Sequence, residues 1–230
     1  AQIRDRELRA KLTPDYDFGC KRPAVSNRYL KVFTRPDVDL VTDRIERITP
    51  TGIITVDGCE REVDVLILAT GFRVPTDPEN YRRTPVRGRD GFDLADFYAE
   101  HRAISYEGVA LPQLPNHFMI FGPYGWTGGT WHQLVETASA HIVRVLKEAR
   151  RREATAVEVR PEAARRWTEF AADRMSRSSW QIGNCSTSNS YYFDHHGDTT
   201  FIRPTSSKAA KHAASTFPLD DYRYQTHAAV

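Results

Sequence analysis

The 230-residue chain is 40% hydrophobic and 27% charged, with a net charge of +2, ordinary values for a globular protein able to bury a core of one large or two small domains. Its 32 basic residues are interleaved with 30 acidic ones, which argues against a nucleic-acid stripe, and no apolar run approaches the roughly 18 residues of a membrane span. Cys20, Cys59 and Cys185 are odd in number and lack metal-ligand spacing, so reduced thiols in the cytoplasm are expected.

In chain order, residues 1–13 read as the end of a short charged helix, followed by a turn at Leu12–Asp17 and the segment Gly19-Cys20-Lys21-Arg22-Pro23. Ser26–Leu30 opens another short helix before Pro36. Strands are expected at Val38–Val41, Arg44–Thr49 and Ile53–Val56, with turns at Thr51-Gly52 and Asp57-Gly58. Val63-Asp64-Val65-Leu66-Ile67-Leu68-Ala69-Thr70-Gly71-Phe72 then predicts a strand buried on both faces, as in a parallel sheet, ending in a small-residue turn where a ligand can approach. Pro75 and Pro78 stop it.

Residues 75–105 read as a surface excursion with one helical turn near Leu94–Tyr98. His117–Phe121 predicts a short strand running into the glycine loop Gly122-Pro123-Tyr124-Gly125-Trp126-Thr127-Gly128-Gly129-Thr130. Thr130 and Gln133 form a capping box for the best helix of the chain, whose inward face is Trp131, Leu134, Val135, Ala138, Ile142, Val145 and Leu146. A second amphipathic helix starts at Pro161 and turns Ala164, Trp167, Phe170 and Ala171 inward. Short strands are expected at Ser190–Phe193 and Thr200–Ile202, and a partly ill-ordered tail from Ala209 to Val230.

Asp64-x-x-x-x-Ala69-Thr70-Gly71-Phe72, with Gly19-x-Lys21-Arg22 upstream and Phe121-Gly122-Pro123 about 50 residues downstream, resembles flavin-dependent monooxygenases of the Baeyer–Villiger (class B) type. The resemblance implies an α/β fold, the C-terminal part of a flavoprotein with two dinucleotide-binding domains. Residues 1–62 would end the NADP domain and form a connecting β-meander, 63–150 would end the FAD domain, and 151–230 would be a C-terminal extension. Neither G-x-G-x-x-G fingerprint is present and the chain does not begin with Met, so the expectation is a portion of a longer enzyme whose N-terminal half is missing. The implied cofactors are FAD and NADPH, and the implied partners are O2 and a small-molecule substrate. The implied reaction passes one oxygen atom through a C4a-peroxyflavin to a ketone or a soft nucleophile.

Carried onto this sequence, the resemblance gives Lys21 the extra phosphate of NADPH and sets Arg22 facing the flavin, as the catalytic charge. A guanidinium stays protonated at any working pH, and a fixed charge in a dry site stabilises an anion strongly; the plain alternative is a solvated loop. Ala69, Thr70 and Gly71 would meet cofactor. Gly122, Pro123 and Thr130 would set a positive helix end at the flavin's pyrimidine edge, or the glycines would merely allow tight packing. Trp126 and Trp131 would wall the substrate pocket, although an aromatic at helical spacing such as Trp131 is more often core. Trp180, in Ser178-Ser179-Trp180, resembles a segment lying against the nicotinamide nucleotide; another register uses Asn184-Cys185 and Ser190-Tyr191-Tyr192, with Asp194–Gly197 as a turn. Adjacent His195 and His196 point to opposite faces and read as a hairpin tip, so no metal is expected. His132 and Glu136 read as an exposed or supporting pair. Two rival classes are another pyridine-nucleotide flavoprotein oxidoreductase, such as a disulfide reductase, which would need a paired-Cys motif, and a non-catalytic remnant or Arg-rich binding module.

Overall fold

In the computed structural model, which describes residues 2–226, Thr51-Gly52 and Asp57-Gly58 turn the chain through a three-stranded antiparallel sheet. Its strands are β1 Ile45–Ile48, β2 Gly52–Thr55 and β3 Glu60–Glu62, with β2 in the middle. Two short helices precede it, α1 Arg6–Lys11, capped by Asp5, and α2 Tyr29–Val32. Val38–Val41 forms no strand.

The expected buried strand at Val63–Phe72 is not formed. Val63 N donates to Thr51 O (3.0 Å), extending the sheet by one residue. Beyond it the segment forms no ladder, with Val65 75%, Ile67 82% and Leu68 70% exposed. Apolar continuity is a signal for burial, but a strand also needs a neighbour to complete its ladder. Among the described residues none is offered, and there is no parallel sheet.

The main core lies in the second half. Helix α5 (Trp131–Arg151) begins at the expected capping box and turns Leu134, Ala138, His141 and Val145 inward. Its charged C-terminus leads into β4 (Ala156–Val159), then Pro161 starts α6 (Pro161–Ser176), which buries Ala163, Ala164, Trp167, Ala171 and Met175. After the single turn α7 (Ser179–Ile182), helix α8 (Ser207–Thr216) packs on α5 through Ala210 and Ala214. Strand β5 (Tyr222–Gln225) pairs antiparallel with β4, from Ala156↔Gln225 to Val159↔Tyr222. The expected ill-ordered tail is therefore regular through most of 207–225, and only its residues 227–230 lie outside the described residues. Small residues four apart make close helix contact without looking hydrophobic, so the sequence pattern hid α8.

A satellite cluster of Leu94, Tyr98, Ala103, Leu111 and Leu114 is held by α3 (Pro78–Arg83) and α4 (Leu94–Glu100). Asp77 and Asp93 cap these helices with their side chains. Three further expectations fail. His117–Phe121 and Ser190–Phe193 are irregular, and Thr200–Ile202 contributes a single bridge, Ile202 to Trp126. Trp131 is 55% exposed and Phe170 42%. Trp131 heads α5, at the first turn, where its ring meets the edge of Phe121 (5.5 Å) rather than a covering layer. The reduced-thiol reading fails as well: Cys20 and Cys185 form a disulfide, and Cys59 is free and exposed. A separation of 165 residues gave no sign of that pairing.

His141 is 1% exposed, stacked on Phe217 (3.9 Å) and joined by Nε2 to the Tyr222 hydroxyl (2.7 Å), while Nδ1 has no partner. Burial, helped by Arg203 and Arg144, lowers its pKa from 6.5 to about 3. The folded state thus keeps a neutral ring where the unfolded chain takes up a proton, so stability falls as pH drops from 6.5 towards 3. The slope reaches about 1.4 kcal/mol per pH unit. His141→Gln is expected to flatten this dependence, read from urea midpoints between pH 7 and pH 4. An unchanged slope in the variant would remove His141 from the account.

Candidate functional site

The glycine loop is built on a second turn that lies beneath it. Gly108 has φ +74°, and a Cβ there would sit 2.5 Å from Gly125 Cα, so only glycine lets the two turns touch. Gly122 N donates to Gly108 O (2.9 Å) and Ser105 Oγ donates to Pro123 O (2.6 Å). Tyr124 N donates to Thr200 O (2.5 Å) and Arg203 N to Trp126 O (2.6 Å). These bonds bury residues 122–126. Gly122 and Pro123 therefore serve close backbone packing in this structure, and the loop becomes open only at Gly128, where a Cβ would meet nothing within 4 Å, and at Thr130.

That rigid base presents Trp126, 9% exposed, with its indole N–H on Gly129 O (3.1 Å). The Arg22 guanidinium lies over the indole face, 4.9 Å from the ring centroid. Tyr192 stands 6.3 Å from Trp126 and 4.9 Å from Tyr191, and Trp180 meets the edge of Tyr192 at 6.3 Å. Phe201 touches Trp126, Tyr191 and Tyr192. Burial and the neighbouring Tyr191 push the Tyr192 phenol up to about 12, against the pull of the Arg22 cation beside it. Such a cation over an aromatic face is worth about 0.5–2 kcal/mol, the upper end when water is excluded. A cleft of about 940 Å³ opens against this group, lined by Gly19, Pro23, Trp126, Gly128, Trp180 and Tyr192 among others.

Arg22, Trp126 and Trp180, distant in sequence, thus meet at one place. Trp180 also ties down the Arg22 segment, its indole N–H donating to Gly19 O (3.0 Å). Lys21 points elsewhere, its ammonium 5.3 Å from the Tyr16 ring. Ala69 is exposed, while Thr70 and Gly71 line a separate cleft of about 320 Å³ with Asn189, Ser190 and Tyr191. Phe72 meets the edge of Tyr191 (6.3 Å) in the wall of that smaller cleft. Thr130 is exposed and spends its hydroxyl on Gln133 N (3.3 Å). Trp131 does not line the large cleft. The sequence reading missed Phe201 and Arg203, and it held Tyr191 and Tyr192 only as an alternative register; the aromatic run Tyr191-Tyr192-Phe193 was the available signal. Among the described residues no three His, Cys, Asp or Glu are grouped to hold a metal ion, and His195 and His196 sit in a turn closed by Asp194 N on Asp198 O (3.0 Å).

This arrangement suits a flat, partly anionic ring system. It offers a guanidinium braced on an indole and hydrogen-bonded to the Tyr192 phenol, an aromatic wall, and an exposed glycine, Gly128, before the N-terminus of a 21-residue helix. The first-turn N–H groups of such a helix lack intrahelical acceptors and favour negative charge.

No family model matches the chain. It is 36% identical over 185 residues to a Baeyer-Villiger monooxygenase of Pseudomonas aeruginosa, covering 80% of this chain and 34% of that protein. A Baeyer-Villiger monooxygenase of Streptomyces coelicolor is 31% identical over 225 residues, 97% of this chain and 42% of that protein. An FAD-binding monooxygenase of Aspergillus niger is 32% identical over 191 residues, 80% and 31%. Among solved structures, cyclohexanone monooxygenase from Rhodococcus sp. Phi1 bound to NADP+ superimposes with a TM-score of 0.82 at 29% identity, covering 98% of this chain and 42% of that one. In fold and in sequence the chain is similar to a portion of the flavin-dependent monooxygenases. The chain belongs to the Baeyer–Villiger type of that class, and it spans about a third to two fifths of the length of the curated relatives it matches.

Proposed function

We propose that this chain supplies part of the catalytic site of an FAD- and NADPH-dependent monooxygenase that transfers one oxygen atom from O2 to a ketone or a soft nucleophile such as a sulfide. The observation that carries this reading is the Arg22 guanidinium held over Trp126 beside the 940 Å³ cleft. FAD, reduced by NADPH, supplies the activation of O2 when bound. Arg22, exposed in this chain, contributes a permanent positive charge that stabilises anionic oxygen and the electron-rich ring edge once the flavin and the rest of the enzyme cover it and exclude water. Trp126 braces that cation and lines the cleft that takes the organic substrate. Trp180 stacks the wall and anchors the Arg22 segment, and in our reading it borders the nicotinamide nucleotide. Lys21 is a point charge for the 2′-phosphate of NADPH. The loop from Gly122 to Thr130 sets the α5 N-terminus towards the flavin, with Gly122 and Pro123 giving the loop its shape. Ala69, Thr70 and Gly71 form the crossing between the two cofactor domains.

In the same reading residues 1–62 finish the NADP domain, 63–150 finish the FAD domain and 151–230 form the extension over both. The remainder of the enzyme provides the strands that cover Val65, Ile67 and Leu68, whose exposure is costly in water. No described helix is long and apolar enough to cross a membrane, and we assign the enzyme to the cytoplasm, where NADPH is supplied.

The test uses the full-length protein that carries this chain, reconstituted with FAD. NADPH should reduce the flavin, and a panel of ketones and sulfides under 18O2 should give products carrying one labelled oxygen. A protein that fails to hold FAD, or holds it without being reduced by NADPH, is not the proposed enzyme.

A further inference from the structure

The Cys20–Cys185 disulfide fastens the segment that carries Lys21 and Arg22 to the end of α7. Residues 13–28 contain no helix or strand, and Phe18, Lys21, Arg22 and Val25 are exposed. Apart from the disulfide and the contact of Arg22 with Trp126 and Tyr192, the segment is held by a narrow seam. Asp17 N donates to Asn184 O (3.1 Å), Asn184 N to Asp17 Oδ2 (2.8 Å), Asn184 Nδ2 to Asp15 O (2.8 Å), and the Trp180 indole to Gly19 O (3.0 Å). The seam is tight, since a Cβ on Gly183 would lie 2.9 Å from Asp17 Oδ2. The first three bonds join exposed groups, where each adds little net stability. The covalent link is the deepest attachment, with Cys20 1% and Cys185 8% exposed.

Access to the link is one-sided. Cys185 lines a cleft of about 480 Å³ with Trp180, Gln181, Ser186, Ser188 and Asn189, wide enough to admit a small thiol. Cys20 does not line it. In a reducing compartment disulfides are usually transient and regulatory rather than structural. We propose that Cys20 and Cys185 form a reversible thiol–disulfide clamp that fixes the Arg22 segment when oxidised and releases it when reduced by a small thiol entering beside Cys185. The choice of a reversible over a permanent bond rests on the cytoplasmic assignment made above; the clamping itself does not.

On reduction, a thiolate of the reductant attacks Cys185 Sγ, the S–S bond breaks, and Cys20 leaves as a thiolate that takes up a proton. A second thiol of the reductant then displaces Cys185 as a thiol, leaving the reductant as a disulfide. In the other direction, one molecule of hydrogen peroxide oxidises the two thiols to the disulfide and is reduced to two waters. Hydrogen peroxide is the natural oxidant for a protein that handles O2.

The experiment is peptide-level thiol alkylation and hydrogen exchange on the full-length protein, equilibrated in glutathione buffers from fully reduced to fully oxidised. Cys59 should be alkylated throughout, while Cys20 and Cys185 should pass together from alkylated to linked between the two extremes. Over the same range, exchange across Asp17–Pro23 should slow about tenfold or more, as local opening is suppressed. Cys20→Ser and Cys185→Ser should each exchange like the reduced protein in every buffer, and Cys59→Ser should respond like the wild type. Alkylation of both cysteines in oxidised buffer would show that no bond forms. A bond that persists in fully reduced glutathione would make the link a permanent staple. A bond that forms without slowing exchange at Asp17–Pro23 would remove the clamping role. Each of these results overturns the proposal, and should the single variants fail to fold, the wild-type comparison still decides. No readout depends on oxygenation, so the monooxygenase reading can fail with the clamp intact.

Discussion

Arg22→Ala in the full-length enzyme is expected to retain FAD while product formed per NADPH consumed falls on the order of a hundredfold or more. Cofactor retention follows from where the binding energy lies: a dinucleotide is held mainly at a glycine-rich turn and helix N-terminus, and this chain has no G-x-G-x-x-G. The loss arises because Arg22 is placed for charge rather than for packing. Its side chain is exposed apart from the Trp126 face and the Tyr192 neighbourhood, so removing it leaves the aromatic wall standing. Oxygen would still be consumed, but it would leave as hydrogen peroxide. Arg22→Lys should not restore coupling, since a compact ammonium reproduces neither the reach nor the planar stacking of guanidinium on indole. Lys21→Ala should instead raise the KM for NADPH with coupling intact. The measurement is product and peroxide per NADPH for each variant. Wild-type coupling in Arg22→Ala would reduce Arg22 to a solvated loop cation.

The second large effect concerns stability. Arg203 is buried, with its side chain 3% exposed, and is paired with the Glu107 carboxylate, itself 13% exposed. Arg203 also donates to Glu107 O (3.0 Å) and to Thr205 Oγ1 (2.8 Å), and its guanidinium lies 4.4 Å from the Trp167 ring centroid. One side chain thus joins the turn beneath the glycine loop, helix α6 and the loop leading into α8. Glu107→Ala leaves that cation without its counter-charge in a dry site, which costs about 3–5 kcal/mol, or roughly 6–20 °C in Tm for a chain of this size. Replacing both partners by Met should recover much of the loss, because neither charge is then left alone. A thermal melt that moves by less than a couple of degrees in Glu107→Ala would show that water reaches Arg203.

The features legible in the sequence were those whose cause is local. Thr130 and Gln133 make a capping box with no help from elsewhere, Pro161 pre-sets a helical φ, and Thr51-Gly52 and Asp57-Gly58 turn the chain by their own backbone preferences. What escaped depends on partners far along the chain. The Val63–Phe72 run reads as a buried strand because its composition suits one, yet burial is a property of the pair. Residues Ala156–Val159 find their mate only at Tyr222–Gln225, and Cys20 finds Cys185 across 165 residues. The site divides along the same line. Arg22 and Trp126 stand out by type and position, whereas Tyr192 becomes meaningful only where the structure sets it against both Trp126 and Trp180.

The pairing of β4 with β5 also fixes an order of events on the ribosome. Helices α5 and α6 are made early, but His141, Tyr106 and Val159 wait for Phe217 and Tyr222, which close over them and which emerge late. Until then the apolar inner face of α5 and the unpaired edge of β4 are open to other nascent chains, and a premature stop anywhere between Thr216 and Tyr222 would leave them open permanently. Such a product would keep nearly every residue of the cleft and still be a target for chaperones and proteases, so a loss of protein, rather than a catalytic defect, is the form in which lesions at this end would be noticed.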